Sequence, residues 1–235
     1  MKECDCKGYN QCICSKELTI FKDLTREEFN KLATGMACFH VKKGEYICYE
    51  GEKISKLFLI SKGSVKICKI TKSGKEQIIH IFSKGDYFGE TSIFTNERGL
   101  SFNAIALNDV IVCAIDKFQV DKILNENPNV ALIVLKSLTK RLSETEEFAH
   151  ILATNDVKVR IAHMLKDFKE KYGKNESGEI YIDFPMNREE MANYCGITRE
   201  TMSRKLSKFE HEGLIELRGN KTLIIKDMEE ILKII

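Results

Sequence analysis

The sequence predicts an α+β chain: an N-terminal β-roll, one long helix and a C-terminal winged helix-turn-helix. Three observations carry that expectation. Between Cys38 and Asp116, short alternating apolar runs are broken by glycine about every ten residues, the pattern of a small barrel or double-layered roll. From Asn129 to Ala153, apolar residues recur in steps of four and three, a heptad seam. From Arg188 to Glu210, two short amphipathic segments flank Gly196. The boundaries that follow are a Cys-rich segment over 1–20, the roll over 21–127, the long helix over 128–154 and the winged domain over 155–235.

Composition narrows the class. With 235 residues, 43% hydrophobic and 31% charged, the chain has the make-up of a globular protein. Its longest apolar run, Val130 to Leu135, is far too short to cross a bilayer. The first twenty residues lack the apolar core of a signal peptide. The expected location is the cytoplasm, with no membrane partner. Nine cysteines, an odd number, in a reducing compartment argue against a disulfide framework and for metal, redox chemistry or core thiols. A formal charge of +2 leaves the placement of the basic side chains to decide what the chain binds.

In chain order, Cys4, Cys6, Cys12 and Cys14 crowd the first fifteen residues in the spacing C-x-C-x5-C-x-C, with no apolar periodicity to bury them. Thiolates so grouped suit soft metals or iron–sulfur clusters; the C-x-C pairs depart from the usual zinc spacing. Thr25 and Glu28 form a capping box for a helix over 25–35. In the strand region that follows, Cys38, Cys48 and Cys68 read as small core hydrophobes. Cys113, in VIVCAI, falls on the face opposite Val112 and Ala114. His40 and His80 read as structural strand residues. A short helix runs from Lys117 to Asn127, before Pro128. In the long helix, Ala131, Leu135, Leu138, Leu142, Thr145, Ala149 and Leu152 form the seam, while Ile133, Val134, Phe148 and Ile151 widen the apolar face. One side can then dock on the roll and the other meet a second copy, as a parallel homodimer. Asn155 or Asp156 caps the next helix; KYGKNESGE reads as a polar loop and YIDFPM as a strand.

The helix-turn-helix is the most informative stretch. Met191, Ala192 and Cys195 face inward from its first helix, and Gly196 supplies the turn. Thr198 caps the second helix, whose inner face is Ile197, Met202, Leu206 and Phe209. Residues 199–208 carry four basic side chains and one acid, a mixture suited to reading bases: arginine donates twice to guanine, and glutamate accepts from cytosine N4. Thr198, Arg199, Glu200, Ser203, Arg204 and Lys208 are therefore the candidate DNA contacts. Lys205 stands where an apolar residue is usual. LIELRGNKTLIIKD then reads as a hairpin wing with Gly219–Asn220 at its tip. Double-stranded DNA with palindromic half-sites is the expected partner.

This order resembles the CRP/FNR family of bacterial transcription regulators. KGEYICYEGEKISKLFLISKGSVKI and GDYFGE are similar to that family's cyclic-nucleotide-binding-like sensor roll, and ITRETMSR to its recognition helix. The resemblance implies base reading by Arg199, Glu200 and Arg204, as in the cyclic-AMP branch, or by Glu200, Ser203 and Arg204, as in the oxygen-sensing branch. It also implies RNA polymerase as a partner, and no enzymatic activity. In the family's nucleotide pocket Glu90 matches the ribose-binding glutamate and Ser101 the phosphate-binding serine. Leu100 fills the arginine position, with Arg98 two residues away, so cyclic AMP is not the expected effector: a buried phosphate lacks its guanidinium. The oxygen-sensing branch holds a [4Fe–4S] cluster, and its ligands map onto Cys113 with three of Cys4, Cys6, Cys12 and Cys14. Zinc in the tail, a metal-free thiol switch, a small molecule in the roll or haem through His40 or His80 are the alternatives. A cupin-like enzyme would need a compact His/Glu cluster, which His40, His80 and Glu90 do not form.

Overall fold

A computed structural model describes residues 2–3, 27, 35–95, 99–176 and 179–235. Cys4, Cys6, Cys12, Cys14, Arg98 and nearly all of the helix expected over 25–35 lie outside the described residues. The chain divides into two compact units, Met1–Arg141 and Leu142–Ile235.

The first unit is the expected roll. Its strands are β1 (Lys2–Glu3), β2 (Ala37–Val41), β3 (Tyr46–Cys48), β4 (Lys56–Lys62), β5 (Ser64–Ile70), β6 (Glu76–Ser83), β7 (Tyr87–Phe88), β8 (Asn103–Ala106) and β9 (Val110–Asp116). They form two sheets, ordered β1-β2-β9-β4-β7 and β3-β8-β5-β6. Among the described residues the helices here are α1 (Glu90–Phe94), α2 (Lys117–Glu126) and α3 (Pro128–Ala153), the last running on past Arg141 into the second unit. Strands β4 and β9 are apolar on both faces, and both faces are covered. Phe58, Ile60, Val110, Val112 and Ala114 pack with Val65 and Ile67 of the other sheet. Leu57, Leu59, Cys113 and Ile115 pack with Val120 of α2 and Val130 and Val134 of α3. That double burial explains the near-continuous apolar run of VIVCAI. It also bears out the opposite facing of Cys113 and Val112. Gly89, at φ +94°, leads into α1; a Cβ there would stand 2.5 Å from the Lys56 carbonyl oxygen, so only glycine fits.

In the second unit α4 (Val157–Tyr172) is capped by Asp156, whose carboxylate accepts from the Lys158 N–H at 2.7 Å. Then come β10 (Gly173–Glu176), β11 (Glu179–Asp183), α5 (Arg188–Cys195), α6 (Arg199–His211), β12 (Ile215–Arg218), β13 (Thr222–Ile225) and α7 (Met228–Leu232). The sheet order is β10-β11-β13-β12. Phe168, Met191, Met202, Leu206 and Phe209 are fully buried beneath the helices. The Phe148 ring of α3 lies 4.9 Å from that of Tyr194. One expectation is corrected: the polar stretch read as a loop contains β10, antiparallel to β11. All four β10 residues are exposed, so backbone pairing holds this edge strand without an apolar alternation to announce it. The wing tip also differs, spanning Gly219, Asn220 and Lys221, since Arg218 pairs with Thr222.

Among the described residues no helix is long and apolar enough to cross a membrane. The seam of α3 is half open. Ala131, Leu138 and Leu152 are partly buried, whereas Leu135 and Leu142 are 60% and 59% exposed, as is neighbouring Leu132 at 55%; Val134, on the widened face, is buried.

Candidate functional site

The outward face of α6 is built from behind. Asn187 caps α5 by accepting from the backbone N–H groups of Glu189 and Glu190, each at 2.9 Å, and Glu190 returns a bond to the Asn187 N–H, a full capping box. Gly196 ends α5 at φ 66°, and the Ile197 N–H donates to the Ala192 carbonyl at 3.0 Å. Thr198 then starts α6, its hydroxyl accepting from the Thr201 N–H at 3.3 Å. Met202, Leu206 and Phe209 fix the helix's inner side, and Ala192, 1% exposed, lets the two helices cross closely.

What this leaves outside is Thr198, Arg199, Glu200, Ser203, Arg204 and Lys208, all exposed. Glu200, Arg204 and Lys208 follow one another at one-turn spacing and share a face. Backbone and Thr198 hydrogen bonds hold the Glu200 carboxyl below the usual carboxylate range, so it is an ionised acceptor. The side chains of Ser203 and Arg204 make no hydrogen bond or ion pair among the described residues, which leaves a five-donor guanidinium free for an external acceptor. Lys208 pairs with Glu212 at 3.7 Å. Lys205 is partly buried, its stem taking part of the apolar position. A shallow open cleft beside this face is lined by Asn187, Arg188, Glu189, Arg199 and Asn220 of the wing tip.

The roll's polar centre differs from the expected pocket. Glu90, first residue of α1, accepts from Arg141 of α3: Nη1 to Oε1 is 2.7 Å. Arg141 Nη2 donates to the Tyr87 carbonyl at 3.0 Å, and the guanidinium lies 4.6 Å from the ring centroids of both Phe82 and Tyr87. The second oxygen of Glu90 is buried without a hydrogen-bond partner. Ser101 is exposed, while Leu100 beside it is 3% exposed in the core. The structure thus brings Glu90 to Arg141, a residue the sequence did not single out.

The described cysteines sort into two groups. Cys48, Cys68 and Cys195 are free and buried. Burial pushes the Cys48 and Cys68 thiols up to about 12, as befits core side chains. Cys113, 1% exposed, is directly opposite Cys38 in the β2–β9 ladder and forms a disulfide with it, the Cα atoms 4.1 Å apart. On the other edge of β2, Lys2 pairs with His40 and Glu3 with Phe39. Lys2 and Glu3 therefore run beside the strand that carries Cys38. His40 is exposed, and His80 packs on Phe82 with ring centroids 4.3 Å apart. Among the described residues no three His, Cys, Asp or Glu side chains gather as a metal site.

The geometry defines a class, a β-roll followed by a winged helix-turn-helix, and the comparisons with known proteins agree. Residues 38–127 match the cyclic nucleotide-binding domain and residues 159–234 the Crp-like helix-turn-helix domain. The CRP-like cAMP-activated global transcriptional regulator of Mycobacterium tuberculosis is 30% identical over 80% of this chain and 84% of its own. Electron transport regulator A of Shewanella oneidensis is 30% identical over 81% of this chain and 75% of its own. Among solved structures, FixK2 from Bradyrhizobium japonicum superimposes with a TM-score of 0.76 at 22% identity, over 85% of this chain and 96% of that one. The chain belongs to the CRP/FNR family, whose members are DNA-binding transcription regulators that act as dimers.

Proposed function

We propose that this regulator is a cytoplasmic homodimer that reads a palindromic operator through Arg199, Glu200, Ser203 and Arg204, and responds to oxygen, nitric oxide or redox state through a [4Fe–4S] cluster. One observation carries the DNA half. The exposed face of α6 pairs an ionised Glu200 with an unengaged Arg204 one turn away, an acceptor for the cytosine N4–H and a donor for guanine O6 and N7 in the major groove. Thr198 and Lys208 flank this pair and suit the phosphate backbone, and RNA polymerase is the expected further partner of such a regulator.

The donor set suits the cluster. Cys113 would supply one thiolate from the roll, and three of Cys4, Cys6, Cys12 and Cys14 the rest. The β1–β2 pairing supports this, since it keeps the beginning of the tail at the edge of the sheet that carries Cys113. When bound, the group supplies an oxidant-labile link between tail and roll. The residues do the remainder: Cys113 sits in the layer shared with Val130 and Val134 of α3, so what holds or releases it bears on the helix whose exposed leucines form the dimer seam.

Anaerobic purification with iron and sulfide assays tests the reading. The expected outcome is a coloured protein whose operator affinity falls in air, and which Cys113→Ser renders colourless. A colourless, iron-free protein with equal operator binding in air and without it would exclude the cluster.

A second reading has a specific warrant in the Mycobacterium relative, which is named as cAMP-activated. Against it, the carboxylate that would take the ribose is already paired with Arg141. Calorimetric titration with cyclic AMP decides: heat of binding that Glu90→Ala abolishes would favour the nucleotide.

A further inference from the structure

Cys38 and Cys113 face each other across the central ladder, and we propose that they form a dithiol–disulfide redox site whose closed form withholds the Cys113 thiolate from metal. The second clause rests on the cluster reading above. The pair is placed by backbone, not by chance of side-chain packing. Ala37 opposite Ala114 and Phe39 opposite Val112 fix the register on either side, and the two Cα atoms stand 4.1 Å apart. The bond therefore joins two residues that the strand pairing already holds opposite each other.

Selectivity follows from the other thiols. Cys48 and Cys68 are buried, free and pushed up to about 12, so neither offers a thiolate near neutral pH. Access is graded as well. Cys38 is partly buried, whereas Cys113 is 1% exposed, so a soluble oxidant meets Cys38 first.

The oxidant we name is a low-molecular-weight disulfide. The Cys38 thiolate attacks one of its sulfurs, which forms a mixed disulfide and expels one small thiolate. The Cys113 thiolate then attacks the Cys38 sulfur and expels the second small thiolate. Each cysteine proton passes to a departing thiolate. Two cysteine thiols and one small disulfide give one protein disulfide and two small thiols; the cysteines lose two electrons and the small disulfide gains them. A sulfur in that bond has no thiolate charge to offer iron.

The test uses the full chain, purified anaerobically, treated with glutathione disulfide, then digested without reductant and mapped by mass spectrometry. The expected result is a Cys38–Cys113 linked peptide that dithiothreitol removes and that Cys38→Ser and Cys38→Ala both lack. Iron uptake by the oxidised wild type is expected to be lost until reductant is added, while both Cys38 variants take up iron after the same treatment. Cys113 found linked to a tail cysteine, or still open to alkylation after oxidation, would overturn the proposal. A linked peptide in a protein that never takes up iron would refute the cluster and leave the redox site standing. Iron uptake with no linked peptide would do the reverse.

Discussion

Helices α3 and α6 both leave one face uncovered, and the two faces have opposite chemistry. On α3 the exposed large apolar residues are Leu132, Leu135 and Leu142; on α6 the open face carries Arg199, Glu200, Ser203, Arg204 and Lys208. An apolar stripe gains from leaving water and suits a second apolar stripe, at about 25 cal/mol per Å² removed. A charged, hydrogen-bonding stripe gains only where donors and acceptors are matched one to one. The same contrast recurs between two arginines. Arg141 has an ion pair, a carbonyl and two aromatic rings within its own unit, while Arg204 has no bonded partner among the described residues. An arginine that is satisfied internally holds a fold together, and one that is not can discriminate among ligands.

The largest expected effect is on the apolar face. Leu142→Asp puts two carboxylates into the proposed dimer seam, and sedimentation should show monomers with operator binding lost, because neither half-site is then held by a partner. Since Leu142 is 59% exposed, the thermal midpoint of the single chain should barely move. A variant that still sediments as a dimer would remove α3 from the interface. Next, Arg141→Ala strands Glu90 and should cost roughly 1.5–3 kcal/mol of the first unit's stability, read from urea midpoints. Arg204→Ala should leave stability unchanged and weaken operator binding by about 1–3 kcal/mol at one base pair. Equal weakening on every sequence would mean that Arg204 touches phosphate alone, and the contrast with Arg141 would lose its point.

The smallest effect concerns Asp167, whose carboxyl accepts from the Tyr194 hydroxyl at 3.3 Å. Burial raises its pKa above the ordinary 3.8, so the folded chain holds that proton more tightly than the unfolded chain. Its contribution to stability is greatest in acid and is lost as pH rises from the ordinary value through the raised one. Asp167→Asn should flatten that decline in a series of urea midpoints taken from acid to neutral pH.

Local pattern sufficed for much of the molecule. The turn at Gly196, the Thr198 cap, the inward Met202, Leu206 and Phe209 and the facing of Cys113 all follow from periods of 3.6 and 2 within one segment. What the sequence did not yield is pairing across distance. Cys38 and Cys113 are 75 residues apart, and Glu90 and Arg141 are 51 apart; no local period sets the register of one strand against another or aims a helix side chain at a given carboxylate. Cys38 therefore read as an ordinary core thiol, and Arg141 as one more charge on a long helix. Strand β10 escaped for a different reason: an edge strand exposed along its whole length has no buried face to impose alternation.

The capping box of α5 has a consequence for salt. A helix start is commonly an anion seat, because its first backbone N–H groups point outward without partners. Here Asn187 and Glu190 already fill that seat, and a carboxylate stands at its mouth. This helix start offers a DNA strand no vacant amide cradle, and the proposed DNA face is expected to owe its ionic-strength sensitivity to cationic side chains such as Arg199 and Lys221, each of which can be deleted singly and counted in the slope of affinity against salt.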